Sequence, residues 1–153
     1  MKICFSTMVI KMLVKELMDT DPLVVSLKTN IKDVVAKIVA AESSCIIVVD
    51  NNKPVGIITE RDLSILFAQV VAGKGGLDRE VQAFMTKEPV CVTENSQFKD
   101  ALMLSRSRKL RHLPVLNDQD LLVGLITQTN LVDAYAGFID KQDELESSIE
   151  QLK

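Results

Sequence analysis

Two stretches of this chain are written twice. Met18-Asp19-Thr20-Asp21-Pro22 returns 67 positions later as Met85-Thr86-Lys87-Glu88-Pro89. Gly56-Ile57-Ile58-Thr59-Glu60-Arg61-Asp62-Leu63 returns 68 positions later as Gly124-Leu125-Ile126-Thr127-Gln128-Thr129-Asn130-Leu131. The drift of one places a single inserted residue in the second copy, near Gln119 to Leu122. A duplicated unit of this size predicts two similar half-domains packed together, with the cleft between them the natural place for a ligand. The full 153 residues are enough for two such halves to share a core.

The local patterns repeat with the motifs. Val14 to Met18 reads as a short helical lead-in, ended by the turn at Asp21-Pro22. Leu23 to Val25 is a short strand. Lys28-Thr29-Asn30 offers a cap, and apolar residues from Ile31 to Ala41 recur at helical spacing, predicting a helix from 31 to about 43. Cys45 to Val49 is a continuous, largely β-branched run of the buried-strand kind. A turn at Asp50-Asn51-Asn52-Lys53 joins it to a second strand, Val55 to Thr59. Glu60 to Ala72 is helical, and Gly73-Lys74-Gly75-Gly76 ends it as a linker. The second copy gives a short helix at Glu80 to Met85, a strand at Val90 to Thr93 and a helix at Gln97 to Leu110. Paired strands at His112 to Leu116 and Leu121 to Thr127 follow, then a long final helix from about Gln128. Each unit is β-α-β-β-α, an α/β (α+β) pattern with pseudo-two-fold symmetry plus a C-terminal helix. The boundaries fall at 14–73, a linker at 74–79, 80–138, and a heptad helix at 139–153.

Composition narrows the function classes. A net charge of −3 gives no global attraction for nucleic acid or an anionic membrane. Aromatic residues are 4% of the chain, with no Trp and a single Tyr135, too few for a base-stacking platform. Met8 to Leu17 is partly apolar, but Lys11, Lys15 and Glu16 interrupt it. The sequence therefore predicts neither a membrane span nor a signal peptide. Cys4, Cys45 and Cys91 are odd in number and lack C-x-x-C spacing, which predicts reduced thiols in a cytoplasmic protein. One histidine, His112, is too few for a structural zinc site. No nucleophile–base pair, Walker loop or paired acids stands out, so no enzyme, catalytic cofactor or metal is expected.

The repeated strings, together with Arg111-His112-Leu113-Pro114-Val115, resemble a pair of CBS (cystathionine-β-synthase) domains, the tandem arrangement called a Bateman module. The resemblance covers roughly residues 14 to 138. It implies a regulatory role: such modules bind adenosine nucleotides between the repeats and pass the change to a partner or attached domain. AMP, ADP or ATP is the ligand class implied, with a homodimer and a possible output domain as partners.

Thr59 and Asp62 lie where a strand enters a helix, as do Thr127 and Asn130. By spacing alone, T-x-x-D is a capping box. A carboxylate there can also accept hydrogen bonds from two vicinal hydroxyls, and the resemblance implies that Thr59 and Asp62 hold a ribose. The two uses are compatible. In the second copy Asn130 is neutral and Thr129 replaces Arg61, so unequal clefts are expected, with the Asp62 cleft the better ribose site.

The resemblance also implies an apolar adenine slot. Thr20, Pro22, Leu23 and Val24 would line it in the first repeat, and Lys87, Pro89, Val90 and Cys91 in the second. Ile46, Ile58, Leu113 and Ile126 would serve as walls beside Pro114, although core packing is the plainer role for any single aliphatic residue. Arg106, Arg108, Lys109, Arg111 and His112 cluster at a helix end. They read either as favourable charge at a C-terminus or as phosphate ligands, with Arg111 or His112 reaching the cleft.

From Leu131 a heptad runs through Tyr135, Phe138, Gln142, Leu145, Ile149 and Leu152. Its first half should pack on the module, and its second half should project as a seam for another helix. The wording from Gln128 to Ala134, followed by a charged heptad, resembles bacterial signalling proteins in which such a module feeds an output domain. The alternative expectation is a ligand-free dimerisation scaffold, such as the N-terminal sensor part of a longer signalling protein.

Overall fold

The computed structural model describes residues 12–150, apart from the side chains of 138, 141–143, 145, 146 and 148–150. Cys4, the start of the Met8–Leu17 stretch, and the seam side chains Phe138, Gln142, Leu145, Ile149 and Leu152 lie outside the described residues.

Each repeat begins with one turn of 3-10 helix, Val14–Glu16 in the first and Val81–Ala83 in the second. The first repeat continues as β1 (Val24–Ser26), α1 (Ile31–Ala40), β2 (Cys45–Asp50), β3 (Lys53–Thr59) and α2 (Glu60–Val71). The second gives β4 (Thr86–Lys87), β5 (Val92–Thr93), α3 (Phe98–Arg108), β6 (His112–Leu116), β7 (Leu122–Thr127) and α4 (Gln128–Glu150).

Local chemistry sets these boundaries. Asn30 caps α1 by accepting the Lys32 N–H at 2.9 Å, and Ile31, Val34 and Ile38 form its buried face. The helix stops short of the expected 43 because Glu42 turns left-handed, with φ 49°. Helix α3 ends at Lys109, φ 53°, where the Leu110 N–H returns to the Ser105 carbonyl. Asn51 and Asn52 both have positive φ, as a tight hairpin between β2 and β3 requires. The longer β6–β7 loop carries the inserted residue. There the Asn117 side chain accepts the N–H groups of Gln119 and Leu121.

The strands form two sheets, β1-β2-β3-β4 and β5-β6-β7. In each, a parallel pair is followed by an antiparallel hairpin, and both hairpins carry a register shift at equivalent positions, Val48/Val49 and Val115/Leu116. Each half buries its own core. Val25, Val34, Ile38, Ile46, Val48 and Ile58 cluster in the first; Val92, Phe98, Ala101, Leu113, Val115, Ile126 and Leu131 cluster in the second. A third cluster of Cys45, Ile47, Ile57, Leu122 and Leu125 joins the halves.

The lead-ins are exchanged. Val14 is buried in the second repeat's core, and Val81 in the first repeat's. Val14 and Lys15 donate to the carbonyls of Ser96 and Glu94, and Asp19 bridges to Leu125 of β7. In the mirror arrangement, Val81 donates to Thr29, Ile31 donates to Arg79, and Thr86 pairs with Ile57 of β3. Two repeated motif residues meet crosswise at these joints. A Cβ on Gly56 would overlap the Met85 side chain, and one on Gly124 would overlap Met18 and stand 2.7 Å from the Asp19 carbonyl oxygen. The glycines are required because another segment passes where a side chain would be.

Candidate functional site

Strand β3 delivers Thr59 to the start of α2, and the capping box expected from spacing forms. Asp62 Oδ2 accepts the Thr59 N–H at 2.8 Å and the Thr59 hydroxyl at 2.7 Å. Both bonds fall on one oxygen, so Oδ1 keeps its acceptor capacity.

Asp62 borders a cavity of about 370 Å³ lined by Ile57, Thr59, Arg61 and Asp62 from the first repeat. Thr86 of the exchanged lead-in and Lys109, Leu110, Arg111 and His112 of the second repeat close it. The cleft thus gathers one carboxylate, Asp62, and three cations, Arg61 beside it on α2 and Lys109 and Arg111 from the second repeat. Its chemistry suits a ligand with a vicinal diol at one end and an anion at the other.

At the matching place in the second repeat, Asn130 Oδ1 accepts the Thr127 N–H at 2.8 Å and the Thr127 hydroxyl at 2.6 Å. A backbone N–H can only donate, so the Asn130 oxygen must face it, and the amide NH2 is left as the outward group. Where Asp62 presents an acceptor, Asn130 presents a donor.

His112 is half-buried on the wall shared by the Asp62 cleft and a second cavity of about 230 Å³, lined by Ser44, Glu60, Arg111, Thr127, Gln128 and Thr129. Its Nε2 lies 2.7 Å from Ser44 Oγ across the repeat interface. Burial pushes the His112 pKa down, the neighbouring Arg111 adds to the effect, and Glu60 opposes it. Cys45 occupies the equivalent position in the first repeat, and burial pushes its thiol up to about 12.

The structure brings together Thr59, Arg61, Asp62, Arg111 and His112 around one cavity, and Thr127 borders the adjoining one. Ile58, Pro114 and Ile126 are buried; Ile58 and Ile126 belong to the cores of their own halves. Strand alternation turns Ile57, not Ile58, toward the cleft. Lys87, Pro89 and Val90 follow Thr86 out of this lining, with Lys87 paired to Gly56 in β4.

The lead-ins cross between the repeats at the cavities as well. Thr86 from the second lead-in lines the Asp62 cleft, whereas Thr20, Pro22, Leu23 and Val24 follow Asp19, which is bonded to β7 of the Asn130 half. Val24 then pairs with Ile47 in β1. Sequence reasoning missed Ile57, Thr86, Leu110 and Ser44 as neighbours of the cavities. Arg106 lies apart, in a groove with Leu102, Leu131, Val132 and Tyr135.

Among the described residues no group of His, Cys, Asp and Glu could hold a metal ion, and no helix is long and apolar enough to cross a membrane.

Comparison with known proteins agrees with this geometry. A CBS domain-containing protein of Dictyostelium discoideum is 33% identical over 132 residues, covering 80% of this chain and 90% of that protein. Several other curated relatives are matched over less of their length, from 13% to 52%. The crystal structure of Arabidopsis thaliana CBSX2 in complex with AMP superposes with a TM-score of 0.71 at 26% identity, covering 82% of this chain and 97% of that one. The CBS-domain containing protein ATU1752 from Agrobacterium tumefaciens gives 0.69 at 28% identity, covering 80% of this chain and 98% of that one. The family model of the CBS domain matches twice, at residues 14–68 and 79–137, and the chain belongs to the CBS domain family.

Proposed function

We propose that this chain is a regulatory, non-catalytic module that binds an adenosine nucleotide in the Asp62 cleft. The observation that carries the reading is that Thr59 uses only Oδ2 of Asp62, leaving Oδ1 as an acceptor in a cleft whose lining also carries Arg61, Lys109 and Arg111. The AMP complex of CBSX2 supports the ligand class. AMP, ADP and ATP each carry the diol and anion that such a site would hold, and the buried, unreactive Cys45 thiol suits a cytoplasmic setting.

The module works as a homodimer. Helices α2 and α4 present matching exposed apolar positions, Phe67 and Val71 on one, Tyr135 and Ile139 on the other, each pair 68 residues apart. A second copy placed across the pseudo-two-fold would cover both faces at once. Ligand entry would favour one arrangement of the repeats and be read out through the dimer or α4, by differential binding to two states.

Calorimetric titration with AMP, ADP and ATP tests the reading, repeated on Asp62→Asn. That variant keeps an oxygen for the Thr59 cap and turns the outward acceptor into a donor. Saturable binding that weakens by about 100-fold in the variant is the expected result, corresponding to the loss of one or two charge-assisted hydrogen bonds. Absence of heat and of thermal stabilisation with all three nucleotides would favour the scaffold reading, in line with Asn130, whose oxygen is taken up by Thr127.

A further inference from the structure

His112 is the chain's single histidine, and it stands on the wall between the two cavities. Three fixed cations share those linings, Arg61, Lys109 and Arg111, against two carboxylates, Asp62 and Glu60. From the elements packed around the ring, Arg111 and Lys109 precede it in its own repeat, and α2 supplies Glu60, Arg61 and Asp62. Strand β2 and its approach supply only the neutral Ser44 and the buried Cys45. The surplus positive charge opposes a further proton on the imidazole. A dianionic phosphate in the same cleft would reverse the sign of that local charge and favour the imidazolium. Ser44 accommodates either state, because its hydroxyl both donates and accepts and lies 2.7 Å from Nε2.

Resting on the reading of the Asp62 cleft as a nucleotide site, we propose that His112 takes up a proton when a phosphate enters, making the module's preference for phosphorylated over unphosphorylated adenosine depend on pH. The linkage belongs to one cleft only. The equivalent residue of the other repeat is Cys45, which does not titrate near neutrality.

The test compares AMP with adenosine by calorimetry at pH 6 and pH 8, in buffers of different ionisation enthalpy, and follows the His112 ring protons by NMR. The AMP affinity is expected to fall on going to pH 8, by up to about tenfold for each pKa unit by which phosphate raises His112. Adenosine binding should not change. In His112→Gln the proton uptake should vanish, leaving only the opposite, weaker trend from the phosphate's own second ionisation near pH 6. An unmoved His112 titration at AMP saturation, or undiminished proton uptake in His112→Gln, would overturn the proposal while leaving nucleotide binding intact. Should AMP fail to bind, the reading of the cleft falls, and inorganic pyrophosphate titrated against the His112 resonance decides the linkage alone. A raised pKa supports it and an unchanged one sinks it.

Discussion

The Asp62 and Asn130 clefts share a backbone plan and differ in one atom pointing the opposite way in hydrogen-bonding terms. Both helices start with the same box, and in both the side-chain oxygen of the third residue is used by the Thr before it. What remains is a carboxylate oxygen in one cleft and an amide NH2 in the other. The surroundings diverge further: Arg61 of the first repeat corresponds to Thr129 of the second, and His112 of the second to Cys45 of the first. A duplicated fold can therefore keep its helix caps and divide its chemistry, because capping uses one side-chain atom and leaves the other free to differ.

The comparison can be broken most sharply by reciprocal exchange. Asp62→Asn should cost about 100-fold in nucleotide affinity with little change in thermal midpoint, since the cap survives. Asn130→Asp should raise the stoichiometry measured by calorimetry above that of the parent chain. If Asp62→Asn binds as well as the parent, the diol role of Oδ1 is wrong and the box is purely structural.

A smaller but clean contrast concerns the two motif glycines. Gly124→Ala forces a Cβ against the Asp19 carbonyl oxygen, a backbone atom, as well as Met18; Gly56→Ala meets only the Met85 side chain, which can turn aside. Chemical denaturation should show Gly124→Ala destabilised by about 1–3 kcal/mol and Gly56→Ala by less. Equal losses would mean that the Met85 side chain is held as firmly as the Asp19 backbone.

The smallest expected effect is on pH and stability. Because the folded His112 pKa is depressed, unfolded chains bind the proton more readily, so stability is lost as pH falls below about 6.5, the unfolded value. Cys45 acts at the other end. Its raised pKa lets the unfolded state ionise first, so stability falls above about pH 9 toward 12. Denaturation midpoints of His112→Gln and Cys45→Ala across pH 5 to 10 should each flatten one limb of this profile.

Much of the fold is legible from residue patterns. The apolar spacing of Ile31, Val34 and Ile38 sets α1, the β-branched run after Cys45 sets β2, and the Asn51-Asn52 turn sets the hairpin, because each depends on neighbours in sequence. The Thr59–Asp62 box is legible for the same reason. Short pieces were harder to place. The strand expected at Val90–Thr93 is only Val92–Thr93, and the Glu80–Met85 helix is a single 3-10 turn, since both are held mainly by distant partners.

By itself the sequence determined the two-fold repetition, the order of elements, the family and the inequality of the clefts, all of which depend on residue identity and near-neighbour spacing. Only the tertiary structure decided which lead-in closes which cleft, that Ile57 rather than Ile58 faces the cavity, and that Ser44 meets His112. These depend on packing between segments tens of residues apart. Two copies of a motif can be paired within a repeat or across repeats with the same local spacing, and the choice is made where Met85 and Met18 find the bare backbones of Gly56 and Gly124.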